Sequence, residues 1–121
     1  MVKALFDTNV LIDYLNTVGA ARTEIDRYPE KSISIMSWIE VMVGAAPSHE
    51  AGTRAFLARF EIVQLDESIA EDAVALRREF RMKLPDAVIW ATARTRNLML
   101  ITRNTKDFPA NEPGVRMPYK I

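Results

Sequence analysis

The sequence predicts an α/β fold: a parallel sheet covered by helices on both faces. Two observations carry this. Short apolar or β-branched runs alternate with longer stretches of helical spacing. Most passages from a run into a helix are marked by Asp, Asn, Ser, Thr or Pro, residues that cap or start helices. With 121 residues the chain fits one domain, spanning 1–121, and 49% hydrophobic content suffices for a core.

Taken in order, residues 2–6 form an apolar run suited to a buried strand, ending in Asp7-Thr8-Asn9. Residues 10–15 have helical spacing, and any of those three polar residues can cap them. A second helix is predicted over 20–28, stopped by Pro29. Residues 32–35 alternate as a strand does. Ser37, with Glu40 three positions on, has the capping-box pattern for a helix over 38–44. Pro47-Ser48 starts a helix running to about residue 60, and 62–65 is a third strand. A long helix over 68–82 sets Ile69, Ala73, Leu76 and Phe80 on one stripe. Leu84-Pro85-Asp86 breaks it, and 87–95 is an apolar helix whose first turn Pro85 favours. Residues 98–101 are a fourth strand, ending in Thr102-Arg103-Asn104. Pro109, Pro113 and Pro118 leave 114–117 as an edge strand at most.

Composition excludes several chemistries. With no cysteine there is no disulfide, thiolate zinc site or cysteine nucleophile. His49 is the only histidine and lies at an exposed helix start, which argues against a Ser-His-Asp triad or a histidine metal site. Glycines at 19, 44, 52 and 114 are too scattered for a phosphate-cradling loop. Trp38, Trp90 and most methionines read as core. No apolar run approaches the roughly 20 residues that span a bilayer, and the first apolar stretch is too short for a signal peptide. A cytoplasmic protein without membrane contact is the expectation.

Net charge is zero but unevenly spread. Residues 1–76 carry 6 Lys/Arg against 12 Asp/Glu, and residues 77–106 carry 8 against 2. Such a dipole either presents a basic face to an anionic polymer or is a solvated helix face.

Four acids stand at the ends of apolar segments: Asp7, Glu40, Asp86 and Asp107. Each has a bland reading. Asp7 can cap a helix, Glu40 can be a capping partner or a wet position, Asp86 suits a helix first turn, and Asp107 can be a loop residue. In open parallel sheets, however, sites form beyond the carboxyl ends of the strands, where strand order reverses. Asp7 follows the first strand directly and Asp107 follows the fourth. Gathered there, four carboxylates would repel one another and suit a hard cation, Mg2+ or Mn2+.

Four blocks together resemble PIN-domain ribonucleases, and more narrowly VapC-type toxins of type II toxin–antitoxin pairs. They are Leu5-Phe6-Asp7-Thr8-Asn9-Val10-Leu11-Ile12-Asp13, Ser37-Trp38-Ile39-Glu40-Val41 with Gly44, Lys83-Leu84-Pro85-Asp86-Ala87-Val88-Ile89, and Leu100-Ile101-Thr102-Arg103-Asn104-Thr105-Lys106-Asp107-Phe108. The likeness covers essentially the whole chain, which is slightly short for the family between residues 43 and 62. It implies a three-layer α/β/α sandwich on a mainly parallel sheet of about five strands. It also implies Mg2+- or Mn2+-dependent cleavage of RNA, with Asp7, Glu40, Asp86 and the more variable Asp107 as metal-holding catalytic acids. Thr8 and Asn9 would orient Asp7, and Thr102 and Asn104 would hydrogen-bond a ligand or water. Asp13 recurs in such sequences, but helical spacing points it away from Asp7. A cognate antitoxin and a homodimer are further implications, the antitoxin groove falling to the helices around 36–44 and 51–60.

From the basic segment, Arg77, Arg81, Arg94, Arg96 and Arg103 are the expected phosphate-gripping residues. Two other readings stay open. One is a PIN-fold binding module without nuclease activity. The other is a metal-dependent phosphatase on a similar sheet, although Asn9 stands where a haloacid-dehalogenase-type phosphatase wants a second Asp.

Overall fold

The structure, a computed structural model, describes residues 2–109 and 112–120. Its elements run β1 (Ala4–Phe6), α1 (Thr8–Leu15), α2 (Gly19–Asp26), β2 (Lys31–Ser34), α3 (Ile35–Gly44), a 3-10 turn (Pro47–His49) and α4 (Glu50–Leu57). Then follow β3 (Glu61–Val63), α5 (Glu67–Phe80), α6 (Leu84–Thr95), β4 (Met99–Ile101) and β5 (Val115–Arg116). The sheet order is β3-β2-β1-β4-β5 and every neighbouring pair is parallel.

Alternation along the central strands builds two cores. Ala4, Phe6 and Ile101 face one cluster with Val10, Leu11, Ile25, Val41, Phe56 and Leu57. Leu5 and Leu100 face the other with Ile69, Leu76, Val88, Ile89 and Trp90. Successive strand residues point to opposite faces, so α1, α2 and α4 cover one side and α5 and α6 the other. This is the three-layer α/β/α sandwich expected. Strand order reverses between β1 and β4, which opens a crevice beyond their carboxyl ends.

Local differences from the sequence reading have local causes. The cap of α3 is Ser34, whose hydroxyl accepts the Met36 N–H at 3.0 Å, so the helix begins before Ser37 and no capping box forms. The strand predicted over 32–35 accordingly ends at Ser34 and takes in Lys31. Pro47-Ser48 opens a 3-10 turn ahead of α4. Leu84 and Pro85 belong to α6 itself, with Lys83 as its cap. The chain leaves α5 through Arg81 at φ 54°, the left-handed conformation that ends helices. The predicted edge strand forms as β5 beside β4. Among the described residues no helix is long and apolar enough to cross a membrane.

Candidate active site

Asp7 is the last residue before α1 and caps it, accepting the Thr8 N–H on Oδ1 at 2.7 Å. Its own N–H donates to the Ile101 carbonyl at 2.9 Å, which fixes it at the β1–β4 boundary. The Thr102 hydroxyl donates to Oδ2 at 2.7 Å. Asp7 is only 4% exposed, yet no Lys or Arg pairs with it among the described residues. Burial pushes its carboxyl up to about 6; the two hydrogen bonds oppose this, and the charges of Asp86 and Glu40 add to it.

Glu40 lies half-buried on α3, with Oε1 accepting the Thr8 hydroxyl at 2.7 Å. That hydroxyl also lies 3.0 Å from the buried Ser37 hydroxyl. Asp86, in the first turn of α6, is raised by burial and by the charges of Asp107 and Glu40, against a lowering influence of Lys83. Asp107 is held by Asn104, whose side-chain N–H donates to Oδ2 at 2.8 Å and whose Oδ1 accepts the Asp107 N–H at 3.2 Å. The Asn104 N–H donates to the Thr102 hydroxyl at 3.0 Å, joining the Asp107 loop to the group that holds Asp7. Asp7 thus feels the charges of Asp86 and Glu40, and Asp86 those of Asp107 and Glu40.

The supporting residues divide. Thr8 and Thr102 contact acids directly, and Asn104 orients Asp107. The Asn9 side chain is engaged elsewhere: its Oδ1 accepts the Arg103 N–H at 3.3 Å, in the segment that follows β4.

The arginines divide more sharply. Arg96 pairs with Asp66 at the start of α5, so α5 and α6 run antiparallel and both Arg94 and Arg96 lie at the end of α6 remote from Asp86. At 1.5 Å per residue these positions are about 12–15 Å away along the helix. Arg94 is taken by Asp72 at 3.2 Å. Arg103 is clamped by Asp13 at 2.8 and 3.2 Å. Arg77 donates to the Met82 carbonyl at 3.0 Å and closes the α5–α6 turn. Arg94 and Arg96 therefore lie away from the acids, because α6 carries them to its far end, whereas Arg103 lies beside the acids with its guanidinium committed to Asp13. Arg81 stays exposed on the Asp86 side. Lys83, which is not among the expected phosphate-gripping residues, is the cation felt by Asp86; its place directly before the helix-starting Leu84-Pro85 was the signal.

The donor set consists of carboxylate, hydroxyl and amide oxygens. That chemistry suits Mg2+ or Mn2+ and disfavours softer metals. Asp7, buried and raised without a cationic partner, fits a position that a divalent ion would compensate. Among the described residues no three acids are drawn close enough to enclose an ion, so the set is open.

The PIN domain sequence profile matches residues 4–111. Ribonuclease VapC10 of Mycobacterium tuberculosis is 32% identical over 125 aligned residues, covering 97% of this chain and 93% of its own. A solved toxin–antitoxin complex from Klebsiella pneumoniae contains a chain 50% identical, with TM-score 0.92, covering 98% of this chain and 100% of that one. A DNA-bound VapBC structure from Salmonella typhimurium matches at 25% identity and TM-score 0.79, with 96% of each chain covered. Profile, identity and fold agree over nearly the whole length: the chain belongs to the PIN-domain family, among its VapC-type members.

Proposed function

We propose that the protein is a divalent-metal-dependent endoribonuclease and the toxin half of a VapBC-type pair, acting on RNA in the cytoplasm. The observation that carries this is Asp7. It is buried where strand order reverses, raised to about 6, and coupled to Glu40 and Asp86, with Asp107 completing the set. The ribonuclease activity in the name of the Mycobacterium tuberculosis relative agrees with that chemistry.

In this reading Asp7, Glu40, Asp86 and Asp107 hold one or two Mg2+ or Mn2+ ions. Bound there, such an ion would supply an activated water and offset charge on the phosphate. The chain's own contribution is to place the acids. Thr8 ties Asp7 and Glu40 together through its amide and hydroxyl. Thr102 fixes the rotation of Asp7, and Asn104 fixes that of Asp107. Arg81 and Lys83 stand at the Asp86 side to take phosphates flanking the cut.

The VapBC and toxin–antitoxin neighbours support a cognate antitoxin as partner. A groove of about 600 Å³ between α1, α3 and α4 offers it an apolar floor, with Ile12, Leu15, Val41 and Ala46 among its walls. A basic antitoxin side chain reaching the acids would silence them. A homodimer is the state the family suggests.

The test is cleavage of a mixed RNA pool with Mg2+ or Mn2+ and with EDTA, for the wild type and Asp7→Asn. Metal-dependent cutting that disappears in the variant is expected. Cutting by Asp7→Asn at the wild-type rate would overturn the site. A protein that neither cuts nor binds Mn2+ would favour a binding module.

A further inference from the structure

Asp13 is buried, 5% exposed, on the same helix that Asp7 caps. Arg103 meets it with two hydrogen bonds, and the Tyr119 hydroxyl donates a third to Oδ2 at 2.8 Å. A buried carboxylate needs such company, and removing one partner leaves the charge uncompensated. The sequence position of Arg103 gives this cluster its importance. It lies between Thr102, which holds Asp7, and Asn104, which holds Asp107. The segment 102–109 has no regular helix or strand to fix it. At one end the Thr102 N–H bonds to the Arg116 carbonyl at 3.0 Å, and at the other buried Phe108 packs edge-on against Trp90. Between these its course is set by side-chain bonds: Arg103 N–H to Asn9, Arg103 guanidinium to Asp13, and Thr102 to Asp7. The first two of these side-chain anchors are on α1. The spacing between Asp7 at the head of α1 and Asp107 on the loop therefore depends on how firmly Arg103 is pinned.

We propose that Asp13, Arg103 and Tyr119 form a positioning latch, which sets the Asp107 loop against Asp7 and brings the C-terminal segment in as part of the site's support. What the placed acids are for rests on the nuclease reading; the placement itself does not. The Arg103 planar fork makes two bonds that a lysine cannot reproduce.

The experiment uses the full chain with Tyr119→Phe, Arg103→Lys and Arg103→Met. Asp66→Ala is the control, because it removes an ion pair and cap at the remote end of α5. Three readouts are taken. They are amide hydrogen exchange of Asn104 and Asp107 in metal-free protein, calorimetric Mn2+ affinity, and kcat and KM on RNA. For Arg103→Met, exchange at those two amides should rise at least tenfold. Mn2+ affinity and kcat should fall about tenfold, with KM within twofold. Tyr119→Phe should show about threefold effects, and Arg103→Lys should fall between. Asp66→Ala should lower the melting temperature and leave all three readouts unchanged.

Folded latch variants that lose thermal stability yet keep exchange and Mn2+ affinity within twofold of wild type would overturn the proposal. If Arg103→Met does not fold, Tyr119→Phe decides. If the wild type neither binds Mn2+ nor cuts RNA, the nuclease reading fails separately. The exchange rates then judge the latch alone, and unchanged rates would overturn it.

Discussion

Asp7 caps α1 and Asp13 lies within it; the two are about equally buried, at 4% and 5% exposure, but their company differs completely. Asp13 has a guanidinium in bidentate contact and a tyrosine hydroxyl besides. Asp7 has a hydroxyl, a backbone amide and two acidic neighbours. A buried charge answered within the chain is a structural element. One left for something else to answer is a site. Burial alone did not separate the two; the sign of the surrounding charge did.

That contrast can be broken most severely at Asp7. Asp7→Asn should cut RNA at least a thousandfold more slowly. It should also raise the stability of metal-free protein at pH 7 by about 1–2 kcal/mol, because a neutral side chain relieves an uncompensated buried charge. Urea unfolding in EDTA checks the second half. Asp13→Ala should do the reverse to stability and cost about 3 kcal/mol, since it strands Arg103; the same unfolding curves measure it. Thr8→Val should slow cleavage about tenfold with a small change in melting temperature, because it releases Glu40 and keeps the helix cap on Asp7. Lys83→Ala should raise KM for RNA a few-fold and shallow the salt dependence of binding by about one phosphate contact. Arg96→Ala, at the remote edge, should change KM less than twofold.

A third buried carboxylate, Glu24, sharpens the comparison through pH. Burial pushes its carboxyl up. Hydrogen bonds from Arg116 and Tyr28, with the charges of Arg116 and Arg27, outweigh that and hold it below its ordinary 4.5. A carboxyl lowered on folding contributes stability above the unfolded value and loses it as pH falls through the folded one. Stability should therefore drop as pH falls below about 4.5, and the drop should be shallower in Glu24→Gln. Equal slopes in the two proteins would show that Glu24 is not the group titrating.

Much of this was legible in the chain. The alternation of strand and helix placed Asp7 and Asp107 beyond the carboxyl ends of β1 and β4, where strand order reverses. The fate of the arginines was not legible. A helix carries residues 86 and 96 to opposite edges of the sheet, and the antiparallel α5 delivers Asp66 to meet Arg96 there. Asp13 was correctly set apart from Asp7 by helical spacing, but its partners are 90 and 106 positions away, so no local pattern announces them. The partner of Asn9 was hidden for the same reason: the Arg103 N–H it accepts lies 94 positions away, just beyond β4. The cap of α3 is Ser34 and not Ser37: both serines precede apolar helical residues, and Ser37 lies inside the helix with its hydroxyl against that of Thr8.

The most direct test of the central claim is thermal unfolding of wild type and Asp7→Asn, each with EDTA and with Mn2+. An ion that binds only the folded state stabilises it. Mn2+ should raise the melting temperature of the wild type by several degrees and leave Asp7→Asn nearly unmoved. In EDTA the order should invert, with the variant the more stable. Equal Mn2+ shifts in both proteins, or none in either, would contradict the assignment of Asp7 as the carboxylate that waits for a divalent cation.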